Sequence, residues 1–66
     1  MNITVNGEAR ELGASMTLAE VVSELGYKHR SVAVALNRQF VPRSQHDEIV
    51  VCEADEIEIL APMVGG

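Results

Sequence analysis

The sequence predicts an α+β fold in which one main helix packs on one face of a small mixed sheet. Polar and apolar residues alternate in several short segments, as they do in strands that bury one face. A single segment, residues 17–25, instead has apolar residues at the three- and four-residue spacing of a helix. One helix lying on one sheet allows all of these apolar faces to share a core.

Size and composition predict one folded domain. The chain has 66 residues, of which 47% are hydrophobic, and this content argues against disorder. Its one cysteine cannot form an internal disulfide. Two histidines and one cysteine do not make a zinc-ligand pattern, so we expect no bound metal.

The net charge of −5 argues against two classes of partner. Nucleic acids and anionic membranes both require a basic protein face. No segment has the length of a membrane-spanning helix, and the amino-terminal residues lack the basic and apolar segments of a signal peptide. We therefore expect a cytoplasmic protein that binds neither nucleic acid nor membrane.

The first segments predict a hairpin. Residues 2–5 alternate as a strand, and Asn6-Gly7 is typical of a two-residue type I′ turn, because both residues tolerate positive φ. Residues 8–12 would be the return strand. Only Ala9 and Leu12 are apolar there, which favours a position at the edge of the sheet.

The helix has a clear start and end. Thr17 at the N-cap and Glu20 at N3 form the pattern of a capping box. Gly26 suits the position just past the C-cap, so we expect a helix of about nine residues. Four apolar residues lie on one helical face, and they are Leu18, Val21, Val22 and Leu25.

The second half of the chain predicts further short strands. Residues 32–36 are a continuous apolar run, typical of a strand buried on both faces, and residues 37–39 form a turn. Phe40 and Val41 are stopped by Pro42, and residues 43–48 are a polar connection.

A short strand is predicted at residues 49–51, followed by a turn at residues 53–55. Residues 56–60 alternate as the last strand, with Ile57 and Ile59 facing the core and the glutamates facing solvent.

Residues 62–66 predict an extended, flexible carboxy-terminal tail, separate from a domain of residues 1–61. Pro62 has no backbone N–H to give to a sheet, so a strand ends there naturally. Gly65 and Gly66 lack a Cβ, so they can enter a channel too narrow for other residues, and the terminal carboxylate is sterically open. The alternative is an ordinary disordered chain end.

In this order and length, the segments resemble the small ubiquitin-like sulfur carriers, and most of all the thiamine-biosynthesis carriers of the ThiS family. The resemblance implies the β-grasp roll, in which the last strand lies parallel to the first. One departure is Ala54-Asp55, where the family usually has Gly-Asp. The resemblance covers nearly the whole chain, through residues 3–7, Thr17-Leu18, 34–37, 41–43, 55–60 and 64–66.

The resemblance also implies the chemistry and the partners. An E1-like adenylyltransferase would use ATP and Mg to adenylate the Gly66 carboxylate, and a sulfur-donating persulfide protein would convert it to a thiocarboxylate. Thiazole synthase would accept that sulfur. This chain would then be a protein co-substrate, monomeric when free, that binds no cofactor itself.

Within the tail, Gly66 would carry the chemistry and Gly65 would provide clearance. Val64 and Met63 would contact the partner's channel, although Met63 equally suits packing on the carrier's own sheet. Two alternatives stay open for the whole chain. One is a carrier for molybdopterin or another metabolite, and the other is a ubiquitin-like interaction module that binds through its sheet face.

Other residues are weaker candidates. A lone cysteine beside a strand is more often a packing residue than a sulfur-transfer site, so we expect Cys52 to pack, on the same face as Val50 if the strand continues. His29 and His46 lie in polar connections and are expected at the surface, and Arg43 anchors a turn or contacts a partner. The last acidic residues form either a solvated face or a surface that steers association, and they are Glu53, Asp55, Glu56 and Glu58.

Overall fold

The computed structural model describes residues 1–28 and 31–61. In these ranges the chain forms five strands, one α-helix and a short 3₁₀ helix at Arg43–Gln45. The α-helix, α1, is Leu18–Glu24. The strands are β1 (Asn2–Val5), β2 (Glu8–Glu11), β3 (Ala33–Leu36), β4 (Gln39–Val41) and β5 (Glu56–Leu60).

The strands form one mixed sheet in the order β2-β1-β5-β3-β4. β5 lies at the centre, parallel to β1 and antiparallel to β3, and the two hairpins are antiparallel. The predicted α+β class and the parallel pairing of the first and last strands are confirmed. β2 is at the edge, as its poor apolar pattern predicted.

The capping box at the start of α1 is confirmed. The Glu20 N–H donates to Thr17 Oγ1 at 3.2 Å, and the Thr17 N–H donates to Glu20 Oε1 at 2.8 Å. Gly26, at φ +92°, ends the helix in a Schellman motif in which the Tyr27 N–H donates to the Val22 carbonyl at 3.1 Å. α1 has seven residues rather than about nine, because this motif closes around a C-cap at Leu25.

The core lies between α1 and one face of the sheet. Ile57 and Ile59 point into it from the central strand, as predicted. They pack with the inward residues of the helix and of the neighbouring strands, and the full set of buried hydrophobic residues in the main cluster is Ile3, Val5, Leu12, Leu18, Val21, Val22, Val32, Val34, Val41, Val51, Ile57 and Ile59.

The prediction that residues 32–36 are buried on both faces is wrong. Val32 and Val34 are buried, but Ala33 between them is exposed. The apolar run arises because small alanines occupy the positions on the other face, which α1 does not cover.

The predicted strand at residues 49–51 is also wrong. Val50 forms only an isolated bridge to Thr17, and the Val51 N–H donates to the Met16 carbonyl at 2.9 Å. This segment therefore pairs with the residues that lead into α1.

The prediction that Cys52 packs against the rest of the protein is wrong as well, since Cys52 is exposed.

His46 corrects another prediction, since it is not at the surface but is 1% exposed. Its Nε2 lies 3.1 Å from the Val41 carbonyl, which can only accept a hydrogen bond, so Nε2 carries the proton. The His46 carbonyl accepts from the Ala19 N–H at 3.0 Å. The segment predicted to be a polar connection thus supports the start of α1. His29 lies outside the described residues.

Candidate functional site around the end of the central strand

The described part of the chain reaches Ala61, directly after β5. All four predicted site residues, Met63, Val64, Gly65 and Gly66, lie outside the described residues, as does the whole predicted tail. What the structure defines is the surface from which that segment departs.

The end of β5 presents apolar side chains on the face opposite α1. Leu60 is 74% exposed, and Phe40 on β4 is 69% exposed. Leu60 is paired with Ala33 across the β3–β5 ladder, and Ala33 is also exposed. We call the surface formed by Ala33, Phe40, Leu60 and Ala61 the exit patch. Its residues line one shallow groove, to which Arg43 and Val41 also contribute.

Burying two large side chains like these removes several kilocalories per mole of unfavourable hydration. Their exposure beside the end of β5 is therefore typical of a surface that a partner covers. The sequence held a signal for Leu60, because its position is in phase with Glu56 and Glu58 rather than with the buried isoleucines. Phe40 had no comparable signal, since a three-residue strand is too short to establish a phase.

The acidic residues near β5 divide into two kinds. Asp55 is structural: its carboxylate accepts from the Cys52 N–H at 2.7 Å and from Asn37 Nδ2 at 3.1 Å. Glu53 Oε1 accepts from the Asn2 N–H at 3.1 Å. Glu56 and Glu58 face solvent from the sheet.

Arg38 Nε lies 3.9 Å from Glu56 Oε1, and because both side chains are exposed this ion pair contributes little to stability. Steering of a partner by these acidic residues stays a prediction, and it now falls on Glu56 and Glu58.

The described residues contain no group of three or more His, Cys, Asp or Glu side chains that could hold a metal ion. In the same ranges, no helix is long and apolar enough to cross a membrane.

Arg43 is exposed at the start of the 3₁₀ helix and borders the exit patch. This position favours contact with a partner over a purely internal role for Arg43.

Taken together, the mixed sheet, the single helix and the central parallel strand define a small β-grasp protein. The family model for ThiS matches residues 3–66, and the chain belongs to the ThiS family, the sulfur carriers of thiamine biosynthesis. A sulfur carrier of this kind is a protein co-substrate rather than a catalyst. The predicted family, fold and functional class are confirmed.

Relatives and solved structures agree with this assignment. The chain is 32% identical to the sulfur carrier protein ThiS of Escherichia coli over the full length of both. It is similar to the crystal structure of the thiamine biosynthesis protein ThiS from Geobacter metallireducens, with 36% identity, full coverage of both chains and a TM-score of 0.85. The solution structure of a thiamine biosynthesis protein from the same organism gives 33% identity and a TM-score of 0.87, over 100% of this chain and 88% of the other.

A second kind of relative is much longer. The chain is 41% identical over its full length to part of a thiazole synthase from Paramagnetospirillum magneticum, and it spans 20% of that protein. A thiazole synthase from Magnetococcus marinus shows 35% identity with the same 20% coverage. In each of these proteins, which are named thiazole synthase, a segment similar to this chain is part of the same polypeptide.

Proposed function

We propose that Gly66 is the sulfur-carrying residue and that its α-carboxylate is converted to a thiocarboxylate for thiazole formation. The observation that carries the proposal is that the family match extends through residue 66, although the sheet ends at Leu60. Residues 62–66 are thus part of the family pattern, and they follow the last described strand in the sequence.

The reach of this segment suits delivery to another protein. Bound in an extended form, five residues span up to about 16 Å, enough to pass from the exit patch into an enclosed active site. Gly65 and Gly66 give the clearance that such a channel requires, and Val64 and Met63 would contact its walls.

The chemistry requires activation because a carboxylate is a poor electrophile. The partner enzyme, an E1-like adenylyltransferase, would join the Gly66 carboxylate to AMP from ATP and release pyrophosphate. ATP and Mg are bound by that enzyme and not by the carrier. The terminal sulfur of a persulfide protein then attacks the acyl carbon and displaces AMP, and thiol cleavage of the resulting sulfur–sulfur bond leaves the thiocarboxylate.

Thiazole synthase is the proposed acceptor of the sulfur. Support comes from the long relatives, in which a homologous segment is joined to a protein named thiazole synthase. Joining a carrier to its acceptor raises their effective concentration, which favours transfer between them. We further propose that the free carrier is a monomer and acts in the cytoplasm, where ATP is available.

The test is pyrophosphate exchange catalysed by the adenylating enzyme from the same genome. The chain ending at Gly66 should support ATP–pyrophosphate exchange, and a variant with one residue added after Gly66 should not, because its carboxylate is displaced from the reacting position. A variant with one residue added before Met1 is the matched control and should react normally. Equal exchange by both variants would contradict the proposal and favour an interaction module that binds through the sheet.

A further inference from the structure

Asn6 lies where β1 ends, and its side chain continues the ladder that the backbone leaves. β1 pairs with β5 at Thr4 and Val5, and the Asn6 N–H donates to the Ile57 carbonyl at 2.9 Å. The chain then turns away, with Asn6 at φ +50°. Asn6 Oδ1 accepts from the Ile59 N–H at 2.8 Å, and Nδ2 donates to the Ile59 carbonyl at 3.3 Å.

β5 is therefore held on both sides just before it ends. On one side Leu60 pairs with Ala33 of β3. On the other side the Asn6 side-chain amide hydrogen-bonds to both the N–H and the carbonyl of Ile59, and we call this pair of hydrogen bonds the bracket. Strand ends open locally at little cost unless hydrogen bonds hold them. A strand held on both sides leaves the sheet in a restricted direction.

We propose that Asn6 is a positioning residue for the reaction at Gly66, because its two hydrogen bonds to Ile59 hold the end of β5 and so set the direction in which the chain leaves the sheet at Leu60 and Ala61. The inference rests on the proposed function, since direction matters only if Gly66 must reach an active site. Asn6 acts through β5 and touches none of the reacting atoms.

The expected consequence is on binding rather than on the chemical step. A strand end that is already held loses less conformational freedom when a partner binds against it, so removing the two hydrogen bonds from Asn6 to Ile59 raises the cost of binding. Once bound, the carboxylate is held by the enzyme and reacts as before. A change confined to KM is the signature of such an effect.

The turn itself does not require the side chain of Asn6. Glycine adopts positive φ at least as readily as asparagine, and Gly-Gly is an accepted pair in a type I′ turn. Asn6→Gly therefore removes the bracket while it keeps the hairpin.

Asn37 offers a matched control at the other end of β5. It also has φ +50°, and its Oδ1 accepts from the Glu56 N–H at 2.9 Å while its own N–H donates to the Glu56 carbonyl at 2.7 Å. Asn37→Gly thus removes a comparable side-chain contact to the same strand, far from the point where the chain departs.

The experiment measures the kinetics of pyrophosphate exchange for the wild-type chain and both variants, with the same adenylating enzyme. We expect Asn6→Gly to raise KM for the carrier about tenfold with kcat within about twofold, since both side-chain hydrogen bonds to Ile59 are lost. Asn37→Gly should leave KM near the wild-type value. Equal KM values for the two variants, with a reactive wild type, would overturn this inference alone. An unreactive wild type would overturn the proposed function together with it.

Amide hydrogen exchange supplies a readout that does not need the enzyme. Asn6→Gly should speed exchange at the Ile59 amide about tenfold and leave Val22 in α1 unchanged. Unchanged protection at Ile59 would overturn the inference, because the bracket would then not hold the strand end.

Discussion

The two faces of the sheet both carry apolar side chains, but only one of them buries these side chains. Beneath α1, Ile57 is 1% exposed, whereas Leu60, three residues later in the same strand, is 74% exposed. A small domain is only marginally stable, so it needs most of its large apolar side chains in the core. Large apolar side chains that lie outside the core therefore indicate a binding surface. In this chain, Phe40 and Leu60 lie near the end of β5, which the carboxy-terminal segment follows in the sequence.

The largest expected effect comes from the buried face. Ile57→Ala should reduce the free energy of unfolding by about 2–5 kcal/mol, because it removes buried methyl groups and leaves a cavity. For a chain of this size that is a large fraction of the total stability. The control lies on the face of the sheet opposite α1, which we call the open face. Leu60→Ala on this face should change the free energy of unfolding by no more than about 0.5 kcal/mol. Urea denaturation measures both, and similar losses would show that the open face is also structural.

His46 tests whether the buried region extends beyond the hydrophobic cluster. His46→Ala should cost about 2 kcal/mol, because it empties a buried site and removes the hydrogen bond to the Val41 carbonyl. The neighbouring exposed residue provides the control: Gln45→Ala should be nearly neutral. If both variants unfold at the wild-type urea concentration, His46 has no part in the core.

Phe40 and Leu60 on the open face should contribute to partner binding rather than to stability. Phe40→Ser and Leu60→Ser should each weaken binding to the adenylating enzyme about tenfold, as expected for exposed anchors that a partner buries, without lowering stability. Val50→Ser is the control, since Val50 is 54% exposed but lies outside the exit patch. Calorimetric titration distinguishes the three variants, and equal affinities would remove the exit patch from the interface.

The smallest effect concerns the turn before β5. Ala54 has φ +71°, which costs a non-glycine residue about 1–2 kcal/mol. Ala54→Gly should therefore raise stability by about 0.5–1 kcal/mol, the excess being offset by the greater freedom of glycine in the unfolded chain. Ala33→Gly, in a strand, should have the opposite sign. A loss of stability for Ala54→Gly would show that this turn is not strained.

Local patterns made the buried face predictable from sequence. The capping box, the helical spacing of Leu18, Val21 and Val22, and the alternation around Ile57 each reflect contacts within one element or against one core. Strand order was not fixed by periodicity and came from the resemblance to a family. The same resemblance marked Ala54 as unusual, and the positive φ of this residue gives the physical reason why glycine is usual there.

The errors share a physical cause, which is that burial depends on neighbours distant in the chain. His46 is polar in sequence, yet its side chain is buried and its Nε2 lies 3.1 Å from the Val41 carbonyl. Val50 is apolar, yet its segment pairs with residues before the helix and leaves the side chain exposed. The exit patch was missed because alternation marks only Leu60 as facing away from the core, and no local pattern brings Phe40 beside it.

The most direct test of the central claim is the intact mass of the protein isolated from its own cells, without reduction or acid treatment. We expect a population in which one sulfur has replaced one oxygen, with the change located at Gly66 by fragmentation. Unmodified carboxylate alone, even after the adenylating enzyme, ATP and a persulfide donor have been supplied, would contradict the carrier function proposed for Gly66.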